Sequence, residues 1–491
     1  MFNLADFCLE PGAPDADALL FVDAERVVAR RTRAELRARV DGLARALAAH
    51  APKGARIALR MTNTPAMAEA FFACARAGLI AVPLSPQLTL EETTKLLEDA
   101  EASLVLVDDA AHVPPQRLGP PVTTPDAVTG DGKLPPTHDE DPVLLIYTSG
   151  TGGRPKGVLH AHRSVRGRVP MRAGWLGIEA GDRVLHAGTL NWTYTLGVGL
   201  MDPLSVGATA VLYGGIAEPQ VWADVIADFD IAVFAAVPTV YRRLLKYGDP
   251  ATVRASRLRH GVCAGEPLPA ELWRAWRDAT GRELYEALGM TEISTYISSG
   301  PITPTKPGVP GKPQPGRRVA ILDPETHQPL DEPGAIGLLA VHKSDPGLML
   351  GYWRQPEADA EVFFGDWFAG GDLAHLDEDR YVHFHGRADD LMNALGVRTS
   401  PLEIERVLMR HDAVQDVAVT SLPNEEGIEL ITAFVVPAEG HAVDEGDLKA
   451  FAGEHLAAYK LPKRVIEARE LPRTVNGKVQ RKRLGALVAE G

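Results

Sequence analysis

The chain has 491 residues, of which 45% are hydrophobic and 24% are charged, and its formal net charge is -14. This composition is typical of a globular protein with a large core, and the length favours roughly three domain-sized units. The acidic balance disfavours nucleic acid as a partner. The N-terminal segment lacks the pattern of a secretory signal and no apolar run is long enough to span a bilayer, so we predict a cytoplasmic protein without a membrane partner.

The cysteines and the periodicity of apolar residues indicate the fold class. Cys8, Cys74 and Cys263 lack paired spacing, which predicts buried thiols rather than a disulfide framework or a zinc site.

Helical spacing of apolar residues occurs at 31–49, 66–79, 221–229, 239–247 and 269–281, and a helix-then-strand pattern occurs at 90–107. Short buried runs occur at 79–84, 183–188, 208–215, 231–238 and 260–265. This alternation predicts an α/β fold with mainly parallel sheets flanked by helices, and the Pro- and Thr-rich segment 111–140 predicts an exposed loop.

The composition and predicted secondary structure of the chain change twice in its second half. The Pro- and Gly-rich segment 301–316 cannot continue a helix or a central strand. We predict a β-rich subdomain at about 301–388 within an N-terminal domain of residues 1–388, and a small α+β domain at 389–491. In that small domain, Ser400 at the N-cap, Pro401 at N1 and Glu403 at N3 predict a helix that starts with a capping box.

A glycine-rich loop follows the apolar strand at 143–147. From Thr148 to Gly157 it reads TSGTGGRPKG. Glycines let backbone N–H groups approach an anion closely, and the hydroxyls and Lys156 add donors and positive charge, as a polyphosphate requires. The loop is not a Walker A motif, because Pro155 precedes the lysine and a glycine follows it. The alternative is a flexible surface turn, which the order and spacing of the ten residues disfavour.

The segment YTSGTGGRPKG resembles the phosphate-loop signature of the adenylate-forming superfamily, which includes acyl-CoA synthetases, luciferases and peptide-synthetase adenylation domains. Five further segments resemble motifs of this family in the same order, at 263–268 (CAGEPL), 288–292 (LGMTE), 370–387, 386–405 and 471–484. The resemblance covers nearly the whole chain. It implies the fold of that family, in which a small C-terminal domain is mobile.

The resemblance also implies roles for individual residues. The residues implied to bind ATP or AMP are Thr148, Ser149, Gly150, Thr151, Gly152, Gly153, Lys156, Gly265, Glu266, Pro267, Leu288, Asp372, Arg387 and Arg398. Thr291 is implied to contact the α-phosphate and Glu292 to hold Mg²⁺, a cation that takes few protein carboxylates. Asp372 would bind the ribose, because a carboxylate can accept two hydrogen bonds from a cis-diol.

The C-terminal motifs imply the remaining catalytic parts. Lys478, which follows the turn-forming pair Asn476-Gly477, resembles the catalytic lysine of the family. Asp389 resembles the hinge residue about which the small domain rotates between two half-reactions, and Gly396 the residue beside the arm of coenzyme A. The chain departs from the usual family pattern at Gly152, Gly371, Leu288 and Leu395.

The segment 186–200 corresponds to part of the acyl pocket of the family. Trp192 and Tyr194 are the expected walls, and Gly197 and Gly199 are expected to leave room; a core helix packed with aromatic side chains is an equal alternative. No aspartate, lysine or arginine occurs in this segment, which disfavours an amino acid or a dicarboxylate as the substrate. An aromatic or medium-chain monocarboxylic acid fits best, with Leu288 favouring benzoate-like acids.

Together the motifs predict an ATP-dependent carboxylic acid:CoA ligase that forms acyl-AMP and then acyl-CoA. Its co-substrates would be ATP and coenzyme A, its metal Mg²⁺, and its oligomeric state a monomer or homodimer. The alternatives are an adenylating enzyme that loads a carrier protein or another acceptor, and a non-catalytic nucleotide-binding protein with this fold.

Overall fold

The computed structural model of the chain describes residues 1–24, 26–108, 119–148, 156–388, 392–394, 397–424, 429–473 and 479–488. The chain divides into two compact units, Met1–Arg318 with Val341–Phe368, and Val319–Ala340 with Ala369–Gly491. These units differ from the predicted domains, because the second unit includes residues 319–340 and 369–388, which the sequence assigns to the N-terminal domain. Asp389 lies outside the described residues, and a domain boundary at that position remains a prediction.

Six of the α-helices in the described residues begin at a residue whose side chain caps the helix. Within the described residues the α-helices are α1 (Leu4–Leu9), α2 (Arg33–His50), α3 (Pro65–Arg76), α4 (Leu90–Ala100), α5 (Val169–Met171), α6 (Thr193–Leu196), α7 (Asp202–Leu204), α8 (Val221–Asp228), α9 (Pro238–Tyr247), α10 (Pro250–Ala255), α11 (Ala270–Thr280), α12 (Pro356–Ala360), α13 (Pro401–Leu408) and α14 (Glu445–His455). The capped helices are α1, α2, α3, α4, α10 and α14. At the start of α2, Thr32 Oγ1 accepts a hydrogen bond from the Glu35 N–H (3.2 Å), and the Glu35 carboxylate accepts one from the Thr32 N–H (2.8 Å). Such a capping box satisfies two backbone donors that the helix cannot pair itself.

The strands of the described residues, in chain order, are β1 (Asp17–Val22), β2 (Val27–Thr32), β3 (Arg56–Arg60), β4 (Ile80–Pro83), β5 (Ala102–Val107), β6 (Val122–Thr123), β7 (Pro142–Thr148), β8 (Lys156–Ala161), β9 (Arg183–His186), β10 (Thr209–Tyr213), β11 (Val233–Ala236), β12 (His260–Ala264), β13 (Glu283–Met290), β14 (Ser294–Ser298), β15 (Lys312–Pro313), β16 (Val319–Leu322), β17 (Gly337–His342), β18 (Gly351–Tyr352), β19 (Phe363–Phe364), β20 (Trp367–Phe368), β21 (Asp372–Leu376), β22 (Val382–Arg387), β23 (Met392–Ala394), β24 (Val397–Thr399), β25 (Val414–Pro423), β26 (Glu429–Pro437) and β27 (Arg464–Glu467).

Two large sheets organise the first unit. One has the order β15-β14-β13-β12-β11-β9-β10-β1-β2, with parallel pairing from β13 to β1 and antiparallel strands at both ends. The other has the order β18-β8-β7-β4-β3-β5-β6, with parallel pairing from β7 to β6. The predicted α/β class with mainly parallel sheets is confirmed. The proline-rich segment contributes only the edge strand β15, as the missing N–H of proline requires.

The core of the first unit lies where α2 and α3 pack against residues of both sheets. Leu36 of α2 and Phe71 of α3 are fully buried in the same cluster as Leu19 of β1 and Ile57 of β3. Cys8, Cys74 and Cys263 are free and buried, as predicted. Among the described residues, no helix is long and apolar enough to cross a membrane.

The described part of the second unit consists of shorter sheets and the α-helices α13 and α14. Strand β17 pairs with β16 and, antiparallel, with β21, which forms a hairpin with β22. The hairpin of β25 and β26 continues into β27, and α13 and α14 pack on its apolar face through Ile404 and Leu448. The shorter hairpin β23–β24 carries Arg398, whose side chain lies outside the described part of the chain.

The capping box predicted at Ser400 is wrong. Helix α13 begins at Pro401, but the Ser400 hydroxyl donates to the His385 carbonyl (2.5 Å) instead of accepting from the helix. Glu403 forms an ion pair with Lys460 (2.5 Å). Both side chains therefore make tertiary contacts that the local sequence pattern does not reveal.

The predicted loop at 111–140 is interrupted by a short strand. Residues 122–123 form β6, which pairs with β5 at the edge of its sheet, while residues 111–118 lie outside the described part of the chain.

Candidate active site

The two ends of the predicted phosphate loop are held by adjacent antiparallel strands. Thr148 ends β7 and Lys156 begins β8, and the two residues pair directly. The Thr148 hydroxyl donates to the Lys156 carbonyl (3.4 Å). Ser149, Gly150, Thr151, Gly152 and Gly153 lie outside the described residues, so their predicted contacts with phosphate remain predictions.

The Lys156 side chain lies between an aromatic ring and a carboxylate. Its Nζ is 4.8 Å from the centroid of the Tyr352 ring and 3.8 Å from Glu361 Oε2. The lysine side chain is about a quarter exposed, whereas that of Glu361 is mostly exposed. The ammonium is therefore oriented by the protein and still open to an anionic ligand.

Thr291 and Glu292 occupy the tight turn between β13 and β14. The backbone of this turn is fixed by two hydrogen bonds, from His160 Nε2 to the Thr291 carbonyl (2.8 Å) and from the Met349 N–H to the Glu292 carbonyl (2.7 Å). Burial lowers the pKa of His160 to about 4, so its imidazole is neutral and holds the proton on the nitrogen that donates. Ser294, two residues after Glu292, adopts a left-handed conformation with φ of 72°.

Glu292 and Lys156 converge on one side chain. The Tyr352 hydroxyl donates to Glu292 Oε1 (2.8 Å), while the face of the same ring receives the Lys156 ammonium. Two residues that the sequence places in separate motifs, at 148–157 and 288–292, thus contact the same side chain, and their roles remain predictions.

The segment that resembles the adenine site lies at the carboxyl end of β12. Gly265 has φ of 91°, a left-handed conformation that favours glycine. Glu266 Oε2 accepts from the Thr239 hydroxyl (2.7 Å), and its Oε1 is buried without a hydrogen-bond partner in the part of the chain that the structure describes. Pro267 is exposed, and the half-buried Leu288 lies on the adjacent strand β13. Ligands of parallel sheets bind at such carboxyl ends.

The predicted acyl-pocket residues adjoin that segment. A Cβ atom on Gly265 would lie 3.3 Å from Trp192 Cη2, so the indole ring packs directly against this glycine. Trp192 and Tyr194 are in edge contact (ring centroids 5.6 Å apart). The Tyr194 ring is buried, and burial raises the pKa of its phenol well above the usual value. Trp192 thus packs against the segment 263–268 that resembles the adenine site, whereas Tyr194 belongs to the buried core.

Gly197 does not leave open room, contrary to the expectation from sequence. A Cβ atom at this position would lie 2.1 Å from Arg168 Nη2, because the guanidinium occupies that space. Arg168 is buried and forms a bidentate pair with Asp202 (2.8 and 2.6 Å), and its Nη1 donates to the Ser294 hydroxyl (2.5 Å). The physical reason for the glycine is close packing of this guanidinium.

The residues implied to bind ribose lie in the second unit. Asp372 and Arg387 pair across the β21–β22 hairpin, and Arg387 Nη1 donates to Asp372 Oδ1 (3.3 Å). The carboxylate is buried, and Gly371 beside it has φ of 90°. Asp389, Gly396 and Lys478 lie outside the described residues, and their roles remain predictions.

Tyr352, His160 and Arg168 contact residues of this site but were not among the residues predicted from the sequence. His160 and Tyr352 lie on β8 and β18, which pair with each other, and this pairing joins residues far apart in the chain. The sequence signal that could have identified Tyr352 is the run Gly351-Tyr352-Trp353, an aromatic pair after a glycine.

The Glu292 carboxylate suits a metal ion that takes most of its ligands from phosphate and water. No group of three or more His, Cys, Asp or Glu able to hold a metal occurs among the residues described. Glu292 supplies a single half-buried carboxylate. Mg²⁺ is usually held by one or two carboxylates plus substrate phosphates, so this donor set fits Mg²⁺ in complex with ATP.

Comparison with known proteins identifies the family. The AMP-binding enzyme family matches residues 11–353, and the AMP-binding enzyme C-terminal domain matches residues 403–478. The chain belongs to the AMP-binding enzyme family. The 3-hydroxybenzoate–CoA ligase of Aromatoleum sp. (strain CIB) is 31% identical, over 100% of this chain and 97% of that protein. The mitochondrial malonate–CoA ligase of Mus musculus is 33% identical, over 87% of this chain and 81% of that protein.

A solved structure supports the same assignment. The benzoate CoA ligase of Burkholderia xenovorans LB400 superposes with a TM-score of 0.86 at 28% identity, covering 99% of this chain and 100% of that one. The predictions of the adenylate-forming superfamily, of its fold class and of an acid–thiol ligase are thereby confirmed.

Proposed function

We propose that this AMP-binding enzyme is an ATP-dependent ligase that joins an aromatic monocarboxylic acid to coenzyme A through an acyl-AMP. The observation that carries the proposal is the convergence of Lys156 and Glu292 on Tyr352. Attack of a carboxylate on ATP brings two anions together, so catalysis depends on positioned positive charge. A lysine ammonium beside a carboxylate able to hold a metal ion meets this requirement.

The proposed reaction has two steps. A carboxylate oxygen of the acid forms a bond to the α-phosphorus of ATP, the bond from that phosphorus to its bridging oxygen breaks, and pyrophosphate leaves. The thiol of coenzyme A then loses its proton to solvent, its sulfur bonds to the acyl carbon, and AMP leaves with the carbon–oxygen bond electrons. The protein supplies position and charge and no nucleophile.

In this scheme the phosphate loop with Lys156 and Thr291 binds the triphosphate, and Glu292 would hold Mg²⁺. When bound, Mg²⁺ would neutralise part of the triphosphate charge. Gly265, Glu266, Pro267 and Leu288 would border the adenine. The other proposed roles are ribose or phosphate binding by Asp372, Arg387 and Arg398, catalysis by Lys478, the hinge at Asp389 and coenzyme A binding at Gly396.

Two observations favour an aromatic acid. The Trp192 indole packs against Gly265, which places a flat apolar wall beside the segment 263–268 that would border the adenine. The Aromatoleum and Burkholderia relatives are named for 3-hydroxybenzoate and benzoate. The mouse relative is named for malonate, but the guanidinium that reaches the acyl segment here, that of Arg168, is already paired with Asp202. This pairing disfavours a second carboxylate on the substrate.

The first experiment is ATP–pyrophosphate exchange with benzoate, 3-hydroxybenzoate, octanoate, acetate and malonate, followed by AMP release with added coenzyme A. Exchange with the two aromatic acids and AMP release that depends on coenzyme A are expected. Lys156→Met should lower exchange by about a hundredfold, as loss of one charge-stabilising donor does. Lys246→Met is the matched control, because Lys246 also lies over a tyrosine ring (5.1 Å) and is exposed at the end of α9.

Other outcomes would point to the alternatives. Exchange without release by coenzyme A would indicate a carrier protein or another acceptor, and exchange with octanoate alone would replace the aromatic substrate class. No exchange with any acid would favour a non-catalytic nucleotide-binding protein. Asp389→Pro tests the hinge: exchange should persist and thioester formation should stop, whereas equal loss of both would contradict that role.

A further inference from the structure

Tyr352 is held firmly at the centre of the candidate site. The residue is 7% exposed, and its strand, β18, pairs antiparallel with β8, so that Tyr352 lies opposite Val158. Its N–H donates to Asp359 Oδ1 (2.8 Å), and Asp359 also packs against Gly351, where a Cβ would lie 2.7 Å from Oδ2. The backbone of Tyr352 is thus fixed on both sides, which fixes the direction of its side chain.

The two ends of this side chain contact two different charges. The hydroxyl donates to Glu292 Oε1 (2.8 Å), and the ring face lies 4.8 Å from Lys156 Nζ. A hydrogen bond to one carboxylate oxygen orients the whole carboxylate and directs its other oxygen elsewhere. The negative face of the ring attracts the ammonium, which also lies 3.8 Å from the mostly exposed Glu361 Oε2.

We propose that Tyr352 is a positioning residue that orients Glu292 toward the metal ion of MgATP and holds Lys156 beside it for the phosphates. This inference rests on the proposed function, in which Glu292 holds Mg²⁺ and Lys156 binds phosphate. It goes beyond that function by assigning the arrangement of both groups to one side chain. The hydroxyl governs the metal-dependent part of ATP binding, and the ring governs the part that depends on Lys156.

Two variants separate these contributions in calorimetric titrations with MgATP and with ATP in EDTA. Tyr352→Phe removes the hydroxyl and keeps the ring, so the dissociation constant of MgATP should rise about tenfold, the usual effect of losing a hydrogen bond to a charged group, while that of metal-free ATP should not change. Tyr352→Leu removes the ring as well, so both dissociation constants should rise. Neither variant requires turnover to be measured.

Tyr213→Phe is the matched control. Tyr213 is also buried in the first unit, and its hydroxyl donates to the Ile216 carbonyl (3.2 Å), away from Lys156 and Glu292. This variant should bind both forms of ATP like the wild type. Thermal unfolding of all variants, followed by circular dichroism, shows whether each is folded at the titration temperature.

Three results would overturn the inference: equal binding of MgATP by Tyr352→Phe and wild type, equal weakening of both forms of ATP by Tyr352→Phe, or no ATP binding by the wild type. The proposed function fails in a different way. A wild type that binds MgATP with the predicted dependence on Tyr352, but shows no exchange with any acid, keeps the inference and refutes the ligase.

Discussion

Ser294 combines a functional position with a strained backbone. It follows Glu292 by two residues, has φ of 72°, and receives a hydrogen bond from Arg168 (2.5 Å). A side chain in the left-handed region costs about 1–2 kcal/mol relative to glycine. Arg168 thus holds a conformation that the serine alone would not favour, and the turn that carries Glu292 depends on it.

Substitution of Ser294 tests this strain. Ser294→Ala and Ser294→Gly both lose the hydroxyl and differ only in the Cβ atom. The glycine variant should therefore be more stable than the alanine variant by about 1 kcal/mol in free energy of unfolding, measured by urea denaturation.

Ser298 provides a control on the same strand. It lies in β14 with ordinary extended backbone, and its hydroxyl also makes a buried hydrogen bond, to the Gly174 carbonyl (2.9 Å). There the order should reverse, with Ser298→Gly less stable than Ser298→Ala by about 0.5–1 kcal/mol. A glycine variant that is less stable than the alanine variant at both positions would show that Ser294 carries no strain.

At the residue scale, local chemistry was predictable and partners distant in the chain were not. The sequence identified Lys156 and Glu292 because each lies in a short motif with a characteristic order of residues. It did not identify Tyr352, which is 60 residues from Glu292 and meets it only when β18 pairs with β8. Gly197 was assigned to the wrong cause, because a sequence shows where a Cβ is missing but not what fills the space.

The helical segments from α6 to α7 pack closely around the buried Arg168 guanidinium. Gly197 begins a π-helical segment, Gly197–Met201, that leads directly into Asp202 of α7. The absent Cβ admits the Arg168 guanidinium, and one turn later Asp202 binds it. These segments therefore close around a buried ion pair that needs both partners in place.

Gly197→Ala should push the guanidinium off Asp202. Breaking a buried ion pair leaves an uncompensated charge and costs about 3–5 kcal/mol, far more than the gain in helix propensity. The urea midpoint should fall clearly. Gly42→Ala in α2 is the control, since no atom lies within 4 Å of its added Cβ, and it should stabilise the protein by about 0.5–1 kcal/mol. Similar effects of both substitutions would contradict the packing argument.

At the element scale, regular periodicity predicted most helices and parallel strands of the first unit. Helices α2, α3 and α11 and strands β9 to β12 form where the apolar pattern placed them. Two-residue strands such as β18 and β20 were not predicted, because partners far along the chain define them. The failed cap at Ser400 has a similar cause: the His385 carbonyl competes for its hydroxyl.

At the scale of the whole molecule, family and fold class could be predicted because six ordered segments agree with one superfamily. The domain boundary between residues 388 and 389 remains a prediction, because Asp389 lies outside the described residues. The response of the molecule to acid could not be predicted either, because a sequence shows histidines without showing which of them are buried.

Burial sets the acid response of both units. It lowers the pKa of four histidines to about 4 (His160, His162, His260 and His385), and that of His186 to about 3. In the unfolded chain each titrates near 6.5. Between these values the unfolded state binds more protons than the folded state, so stability is present above pH 6.5 and is lost as the pH falls from 6.5 toward 4.

His162→Asn tests this linkage at one position. His162 Nδ1 accepts from the Leu4 N–H (3.0 Å), an acceptor role that an asparagine oxygen can take without titrating. The unfolding free energy of the wild type should fall between pH 6.5 and pH 5, and the variant should lose less, by about 1.4 kcal/mol per pH unit. Urea titrations at pH 7.5, 6 and 5 measure both slopes. Above pH 7 the two should have parallel pH dependence, since the histidine is then neutral in both states, and equal slopes below pH 6.5 would show that His162 is not buried as a neutral base.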